Sequence, residues 1–421
     1  MKRRITAALL AGALCALSAV PAGAADQPPA QTAQADAPST PPVRTVEQMG
    51  MKAVTTAVQQ RNPTVLALRE QASGIDSTSR LYTQMTGAAL MMDGMVAANE
   101  ALIEQLRAAM AATEDATAQA AYGAQIALLE AQNAGYEQSK QGTTAQLGAA
   151  VTQIDDAVYH LRKVADNVAG QVTMGAQSLL IGVQSMDDAG RKLQIQLAGL
   201  DRQLAVLRLQ HDRGMVSTYQ FELVQHQRGA LARAIDTLAE QRDDLSSSLA
   251  LLCGYDADTL VRPTVIAPVS EHDLRAMSYQ QDWEQVCKNS FAIWQKRDQL
   301  RQAQNAYDRE IAGTGAAVQA AKAALAAEQD AVEASFLTLF QTVADCAGTL
   351  RAAQTARAQA ERDCRTAALQ YDRGMIARLA YQQAQDAVEI ARLDEAAAQL
   401  QLRSAYQRYD WAKQGVITAA S

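Results

Sequence analysis

The placement of proline constrains the fold of this chain more than any other feature. Six of the nine prolines lie before residue 45, and the others are Pro63, Pro263 and Pro268. Residues 64–262 and 269–421 contain none, and a proline in a helix interior costs about 3 kcal/mol. Two long proline-free blocks on either side of a short proline-containing segment therefore predict two helical halves.

The composition is that of long helices in an acidic protein. Only 5% of the residues are aromatic, which argues against a large globular core, and the abundance of Ala, Gln, Leu, Arg and Glu is typical of coiled coils. The formal charge is −7, and it becomes −10 when Lys2, Arg3 and Arg4 are removed with a leader. This acidity argues against binding to nucleic acid and against electrostatic docking on anionic lipid.

The first residues predict export. A basic start, an apolar stretch at residues 5–20 and the Ala-Gly-Ala sequence at 22–24 indicate a signal peptide over residues 1–24. A retained membrane anchor is the alternative, but it needs about 20 apolar residues. Residues 25–44 are rich in Pro, Ala, Gln and Thr and predict a disordered linker. The predicted location is the cell envelope: outer membrane or periplasm in a cell with two membranes, otherwise the extracytoplasmic surface.

Seven-residue spacings predict coiled coil in the second half. We expect one helix over residues 278–311, closed by Gly313-Thr-Gly315, and then a breaker-free helix over 316–373, roughly 87 Å long. In that second helix an apolar residue recurs every seven positions, which favours left-handed supercoiling. The residues are Val318, Leu325, Val332, Leu339, Cys346, Ala353, Ala360 and Ala367. A third helix, about 377–412, carries an alanine at the same spacing, which lets a neighbouring helix approach closely. These alanines are Ala384, Ala391, Ala398, Ala405 and Ala412.

The first half repeats the plan of the second. Residues 209–216 and 369–376 are identical at six of eight positions, at an offset of 160. The sequence Arg-Asn-Pro at 61–63 has a counterpart in Lys-Asn-Ser at 288–290, and Gly254 ends the first half as Gly415 ends the second. A match of turn, spacing and flanking helices predicts a tandem duplication.

The duplication sets the predicted domain organisation. The first repeat covers residues 45–255 and includes a helical insertion at about 80–145. An inter-repeat linker covers 256–277, the second repeat covers 278–415, and a short tail covers 416–421. The predicted fold is all-α, with elongated antiparallel coiled-coil hairpins in two tandem repeats.

This organisation resembles the TolC-like outer-membrane efflux family. The residues that carry the resemblance are the helix ending at Asn62-Pro63, the turns at 211–214 and 371–374, and the Ala/Gln-rich helix after each turn. The resemblance implies a homotrimer whose helices form a hollow barrel through which drugs or proteins pass. It also implies a membrane-fusion adaptor and an inner-membrane pump as partners. By this likeness the tips that dock the adaptor are Arg213, Gly214, Met215, Arg373, Gly374 and Met375.

The sequence also departs from the family. No clear β-barrel strands are found where the family has membrane β-hairpins, and the acidic constriction of the family falls on Ala380 and Gln383. Residues 85–98 are the most apolar stretch of the mature chain. We interpret them either as a cap that faces a membrane or partner or as a packed turn between two helices, without a transmembrane helix in either case.

Nothing in the sequence indicates catalysis, a cofactor or a metal. The four histidines are dispersed, and no Cys/His cluster, P-loop or nucleophile motif is present. Cys253 and Cys287 are either a bridge or, like Cys346 and Cys364, small apolar filler. We therefore predict a non-enzymatic component of an efflux or type I secretion apparatus. The alternative is a structural coiled-coil envelope protein that lacks the barrel and has no transport role.

Overall fold

A computed structural model describes residues 45–76, 79–113, 116–256, 258–308 and 314–417. The predicted signal peptide, the predicted linker at 25–44 and the last four residues of the predicted tail lie outside the described residues. Within the described part the chain forms two strands and ten helices. In chain order they are β1 (Val46–Met49), α1 (Met51–Arg61), α2 (Pro63–Asp76), α3 (Ser79–Ala112), α4 (Ala116–Asp212), α5 (Thr218–Leu252), β2 (Leu260–Pro263), α6 (Glu271–Ala276), α7 (Tyr279–Asn289), α8 (Phe291–Asp308), α9 (Thr314–Asp372) and α10 (Arg378–Lys413).

The long helices pair as antiparallel hairpins. α4 packs against α3 near its start and against α5 near its end, while α9 packs against α8 and α10. The helix predicted over 316–373 is α9, which has 59 residues, and the helix predicted over 377–412 is α10, which has 36. The all-α prediction with hairpins in two repeats is confirmed.

The predicted seven-residue seams are in contact. Every residue of the predicted stripe on α9 is buried or half-buried, and on α10 the buried alanines include Ala398 and Ala405. A second stripe at the same spacing completes each seam, as the two core positions of a heptad require. On α9 it consists of Phe336, Val343, Leu350, Arg357 and Cys364, and on α10 of Val388, Glu395, Leu402 and Tyr409. This stripe was not predicted, because each run contains a charged residue.

The two charged members of the second stripe pair with each other. Arg357 Nη1 lies 2.7 Å from Glu395 Oε2, and Arg357 also contacts Glu361 on its own helix. Glu395 is only 7% exposed. A charge inside an apolar seam fixes the register, because any slip would leave it without its partner.

The end of each half away from the turns is built around a glycine. Gly254 and Gly415 have φ values of 75° and 98°, a region that favours glycine. A Cβ on Gly254 would overlap the carbonyl of Arg61, and one on Gly415 would overlap the carbonyl of Asn289. The backbone of each half is thus pressed against the end of its short helix, α1 or α7.

Asparagine side chains tie these short helices to the long ones. Asn62 Nδ2 donates to the carbonyl of Leu252 at 2.9 Å, and Asn289 Nδ2 donates to the carbonyl of Lys413 at 2.8 Å. The acceptors occupy the same place, two residues before Gly254 and Gly415.

The alignment of the short helices is shifted by one residue from the predicted one. The buried pairs Val58/Val286 and Val65/Ile293, and the caps Asn62 and Ser290, all correspond at an offset of 228. Asn62 therefore corresponds to Ser290 rather than to the asparagine before it. In the first half Asn62 makes both the cap and the contact with the carbonyl. In the second half Ser290 is the cap, and Asn289 donates to the carbonyl.

The two strands were not expected. β1 and β2 pair in parallel, with Val46 opposite Leu260, and the helix that ends at Arg61 begins at Met51. Ser246 on α5 holds the other edge of β2, since its Oγ accepts from the Val261 amide at 2.7 Å and donates to the Val261 carbonyl at 2.9 Å. The predicted inter-repeat linker at 256–277 thus contributes strand β2 to the first half.

Two predicted helices are interrupted. The helix predicted over 278–311 is divided at Ser290 into α7 and α8, and its predicted end lies partly outside the described residues. Within the predicted helical insertion at about 80–145, one helix ends at Ala112 and the next begins at Ala116. Residues 85–98 lie inside α3, so the packed-turn interpretation of that segment is wrong.

The two halves are joined by a buried amide network. Gln177 on α4 donates to Thr55 Oγ1 at 2.8 Å, and its Oε1 accepts from Gln407 at 2.7 Å and from Trp411 at 2.9 Å. Gln177 and Gln407 are 9% and 5% exposed. This network connects α1 and α4 of the first half with α10 of the second. None of the helices in the described part is both long and apolar enough to cross a membrane.

Candidate functional site

The two predicted tips have the same backbone structure. In the first turn the amides of Gly214 and Met215 donate to the carbonyls of His211 and Gln210 at 2.8 and 2.9 Å. In the second turn the equivalent bonds, at an offset of 160, are both 2.8 Å. This pair of bonds is the Schellman motif, which needs a left-handed residue at the glycine position. Gly214 and Gly374 meet that need, with φ values of 68° and 72°.

An aromatic stack closes each turn from the side. His211 stacks on Phe221 with ring centroids 5.5 Å apart, and Tyr371 stacks on Tyr381 at 5.3 Å. Both pairs join the last turn of one helix to the first turns of the next. Phe221 and Tyr381 were not predicted as part of the turns, although both repeat at the offset of 160 that relates the turns.

Each tip exposes an arginine and a methionine beside its glycine. All six predicted tip residues are exposed, and Met215 and Met375 are 69% and 68% exposed. Leu209 and Leu369, in the last turns of the preceding helices, are 63% and 60% exposed. The two turns thus expose the same apolar residue types at equivalent positions. Arginine near a helix C-terminus also has a local, favourable role.

Both tips lie at the same end of the paired repeats. α4 and α10 run antiparallel, and Lys192 Nζ lies 2.6 Å from Asp394 Oδ1. Nearer the tips, Arg202 forms an ion pair with Asp386. Arg202 precedes the first turn glycine by twelve residues, and Asp386 follows the second by twelve. The two turns are therefore level with each other along the α4/α10 interface.

The tips differ in how the following helix starts. Ser217 is the N-cap of α5, and its Oγ accepts from the Gln220 amide at 3.3 Å, the usual bond of a capping serine. The equivalent residue before α10 is Ala377, which makes no side-chain cap. Next to the first turn Tyr219 is 72% exposed, whereas its counterpart Leu379 is half-buried. The two surfaces are thus similar but not interchangeable.

The most unusual ionisable group lies far from the tips. Asp282 on α7 accepts from the buried Tyr409 hydroxyl and from the Ser278 amide, and lies 3.1 Å from Lys413 Nζ. Burial raises the pKa of Asp282, but these three partners outweigh it, so the pKa lies below its ordinary value of 3.8. Burial and the same contact raise the pKa of Tyr409. The group ties α7 to α10.

Other ionisable groups are also structural. Asp187 and Asp243 both contact Arg242, and Asp188 is 7% exposed. The four cysteines of the described residues are free, and burial raises the pKa of Cys253 to about 11. No cluster of potential metal ligands occurs in the part of the chain that the structure describes.

Known proteins give matches at the level of structure. No protein-family model matches the sequence, and no curated protein matches it. The CmeC outer membrane channel of Campylobacter jejuni is similar at 11% identity, with 68% of this chain and 69% of that chain covered and a TM-score of 0.43. The outer membrane protein VceC of Vibrio cholerae is similar at 12% identity, with 64% of this chain and 76% of that chain covered and a TM-score of 0.45. A membrane protein from Pseudomonas aeruginosa is similar at 10% identity, with 90% of this chain and 99% of that chain covered and a TM-score of 0.46. The chain is similar to each of these structures at low sequence identity.

Proposed function

We propose that this chain is a TolC-like component of an efflux or type I secretion apparatus in the cell envelope. In this proposal copies of the chain assemble as a homotrimer around a helical conduit, and the paired turns dock a membrane-fusion adaptor that an inner-membrane pump engages. The chain itself performs no chemistry, and the pump supplies the energy. The predicted signal peptide directs export, and the repeats at 45–255 and 278–415 supply one tip each.

One observation carries the docking proposal. Two turns separated by 160 residues share backbone bonds, an aromatic stack and an exposed methionine. Folding alone requires the glycines and the stacks, but it does not require exposed methionines at both turns. Met215 and Met375 support a partner, because methionine adapts its shape to an apolar surface.

Binding to an adaptor tests this function. We would replace Met215 and Met375 together by glutamate and measure binding of a purified membrane-fusion adaptor from the same organism by interferometry. Burying unpaired carboxylates in the contact should weaken binding at least about tenfold. A matched control replaces Leu251 and Leu337, which are 54% and 40% exposed and lie away from the tips, by glutamate. Equal binding by the tip variant and the wild type would contradict docking through the turns.

Scattering distinguishes a conduit from a structural coiled coil. The mature protein in detergent should give a trimer with a hollow cross-section in small-angle scattering. A solid cross-section at any oligomeric state would favour the alternative of an envelope scaffold without a transport role.

A further inference from the structure

A cavity of about 400 Å³ lies where the inter-repeat linker crosses the two halves. Its walls come from α4 of the first half, from α10 of the second half and from residues 263–268 of the linker. The volume falls within the range of small-molecule sites, about 300–1,000 Å³. The cavity is separate from the tips, because Arg191 in its wall precedes Gly214 by 23 residues, roughly 35 Å along α4.

The linker is fixed at both ends of the stretch that lines the cavity. The Thr264 amide donates to the Met49 carbonyl at 2.8 Å, and Ser270 begins α6 with a capping box. Pro263 and Pro268 both line the cavity, and a proline has a restricted φ and no amide donor. The linker therefore forms a fixed wall of the cavity.

One side chain in this cavity is a donor that lacks an acceptor. The Nε of Arg403, on α10, is buried and has no hydrogen-bond partner among the described residues, and its guanidinium forms no ion pair with them. Arg202 also has a buried, unpaired Nε, but its guanidinium pairs with Asp386. An unpaired buried charged group is costly to the fold. Arg403 is therefore a group whose partner the described chain does not supply.

The charges that line the cavity leave one positive charge unbalanced. Arg191 Nη1 lies 3.5 Å from Asp188 Oδ1, and Gln184 Nε2 donates to the same oxygen at 3.2 Å. The carboxylate of the cavity is thus held by its own helix. Two arginines and this one carboxylate give the lining a net charge of +1. A ligand with one negative charge would balance it, and a guanidinium binds a planar carboxylate through two parallel hydrogen bonds.

Much of the remaining lining is apolar. It includes Pro263, Ile266 and Pro268 from the linker and Ala396 and Leu400 from α10. An inorganic anion would leave this surface uncovered, whereas a carboxylate with a short apolar chain would cover it. A phosphate monoester carries about two negative charges near pH 7, one more than the lining balances. Charge and surface together favour an organic monocarboxylate.

We propose that the cavity between α4, α10 and the inter-repeat linker binds a small organic monocarboxylate. The carboxylate pairs with the guanidinium of Arg403, and the apolar part of the ligand contacts the linker. A ligand bound there contacts both halves and the segment that joins them. The site goes beyond the proposed function, because it requires neither an adaptor nor a second copy of the chain.

The test is isothermal titration calorimetry of the full mature chain with hexanoate, 1-hexanol and inorganic phosphate as probes. Hexanoate should bind, and Arg403→Met, which removes the donors but keeps an unbranched side chain, should weaken its binding at least about tenfold. Ala396→Leu, which fills the cavity and keeps both arginines, should also weaken it. Arg408→Met removes an exposed arginine from another face of α10 and should bind hexanoate like the wild type.

Several outcomes would overturn the inference. Equal affinity of the wild type and Arg403→Met for hexanoate would exclude the guanidinium contact, and equal affinity of the wild type for hexanoate and 1-hexanol would leave an apolar cavity without a carboxylate site. Binding of inorganic phosphate but not of hexanoate would assign the arginine to a small inorganic anion. No binding of any probe would mean that the cavity holds water only. None of these results bears on adaptor docking or on the homotrimer, so the proposed function is tested separately.

Discussion

At the scale of single residues, glycine acts in two physically different ways in this molecule. Gly374 and Gly415 both have a left-handed backbone, but only Gly415 also faces the backbone of another element. The first glycine is needed for its conformation, and the second for both its conformation and its lack of a Cβ.

This difference predicts unequal costs for the same substitution. Gly374→Ala should lower the free energy of unfolding by about 1–2 kcal/mol, the cost of a left-handed alanine. Gly415→Ala should lower it further, because the new Cβ overlaps the Asn289 carbonyl. Gly348 lies in an exposed part of α9 with open space around it, and Gly348→Ala should raise stability by about 0.5–1 kcal/mol. Urea unfolding at one protein concentration measures all three, and equal losses for Gly374→Ala and Gly415→Ala would refute the role of close packing.

The buried carboxylate predicts a pH dependence at the residue scale. Since the pKa of Asp282 is lowered in the folded chain, its ionised form stabilises the fold above its ordinary value of 3.8, and that contribution is lost as the pH falls through the lower folded pKa. Tyr409→Phe removes a hydrogen bond to the carboxylate and should cost about 1.5–3 kcal/mol near neutral pH. The loss should shrink in acid. Urea unfolding from pH 7 to pH 3 measures it, with Tyr406→Phe as the control, and a loss that is constant with pH would contradict the assignment.

At the scale of elements, the seam between α9 and α10 depends on its second stripe. Phe336 is fully buried and stacks on Tyr409 with centroids 5.3 Å apart, whereas the adjacent Leu337 is 40% exposed. Phe336→Ala should lower the free energy of unfolding by about 3–5 kcal/mol, and Leu337→Ala should change it by less than about 0.5 kcal/mol. Thermal and urea unfolding of both variants check this, and similar effects would mean that the stripe is not a core.

Element boundaries were predictable where a local signal exists. Gly374 predicted the end of α9 to within one residue, because glycine is the residue that most readily adopts the left-handed backbone after a helix. The break at Ser290 was missed, although its Oγ accepts from the amide of Ile293, three residues on, which is the local bond of a capping serine. β1 was missed because its partner lies more than 200 residues away along the chain.

The candidate site was also predictable only where a local sequence signal exists. The repeated turn sequence identified the tip residues, since their backbone structure is local. The repeat at an offset of 160 identified Phe221 and Tyr381 as equivalent positions, but it did not show that each stacks on a residue ten positions away across the turn. The exposure of the two methionines likewise depends on how the halves pack.

At the scale of the whole molecule, the halves are held in one register by a few polar side chains. Gln177→Leu would leave the buried amide of Gln407 and the indole N–H of Trp411 without their shared acceptor, and each buried unpaired group costs about 1–3 kcal/mol. The predicted result is a large loss of stability and a separation of the single unfolding transition into two. Gln184, which is half-buried on the same helix, gives the control Gln184→Leu. One sharp transition at wild-type stability would contradict the role of the network.

The 97-residue helix α4 has a mechanical consequence for the molecule. It contains no proline, which is one of the main causes of sharp kinks in helices. The α3/α4 hairpin and the Gly214 turn therefore lie at the two ends of one continuous helix. A load on one end reaches the other through helical backbone alone, with no loop between them.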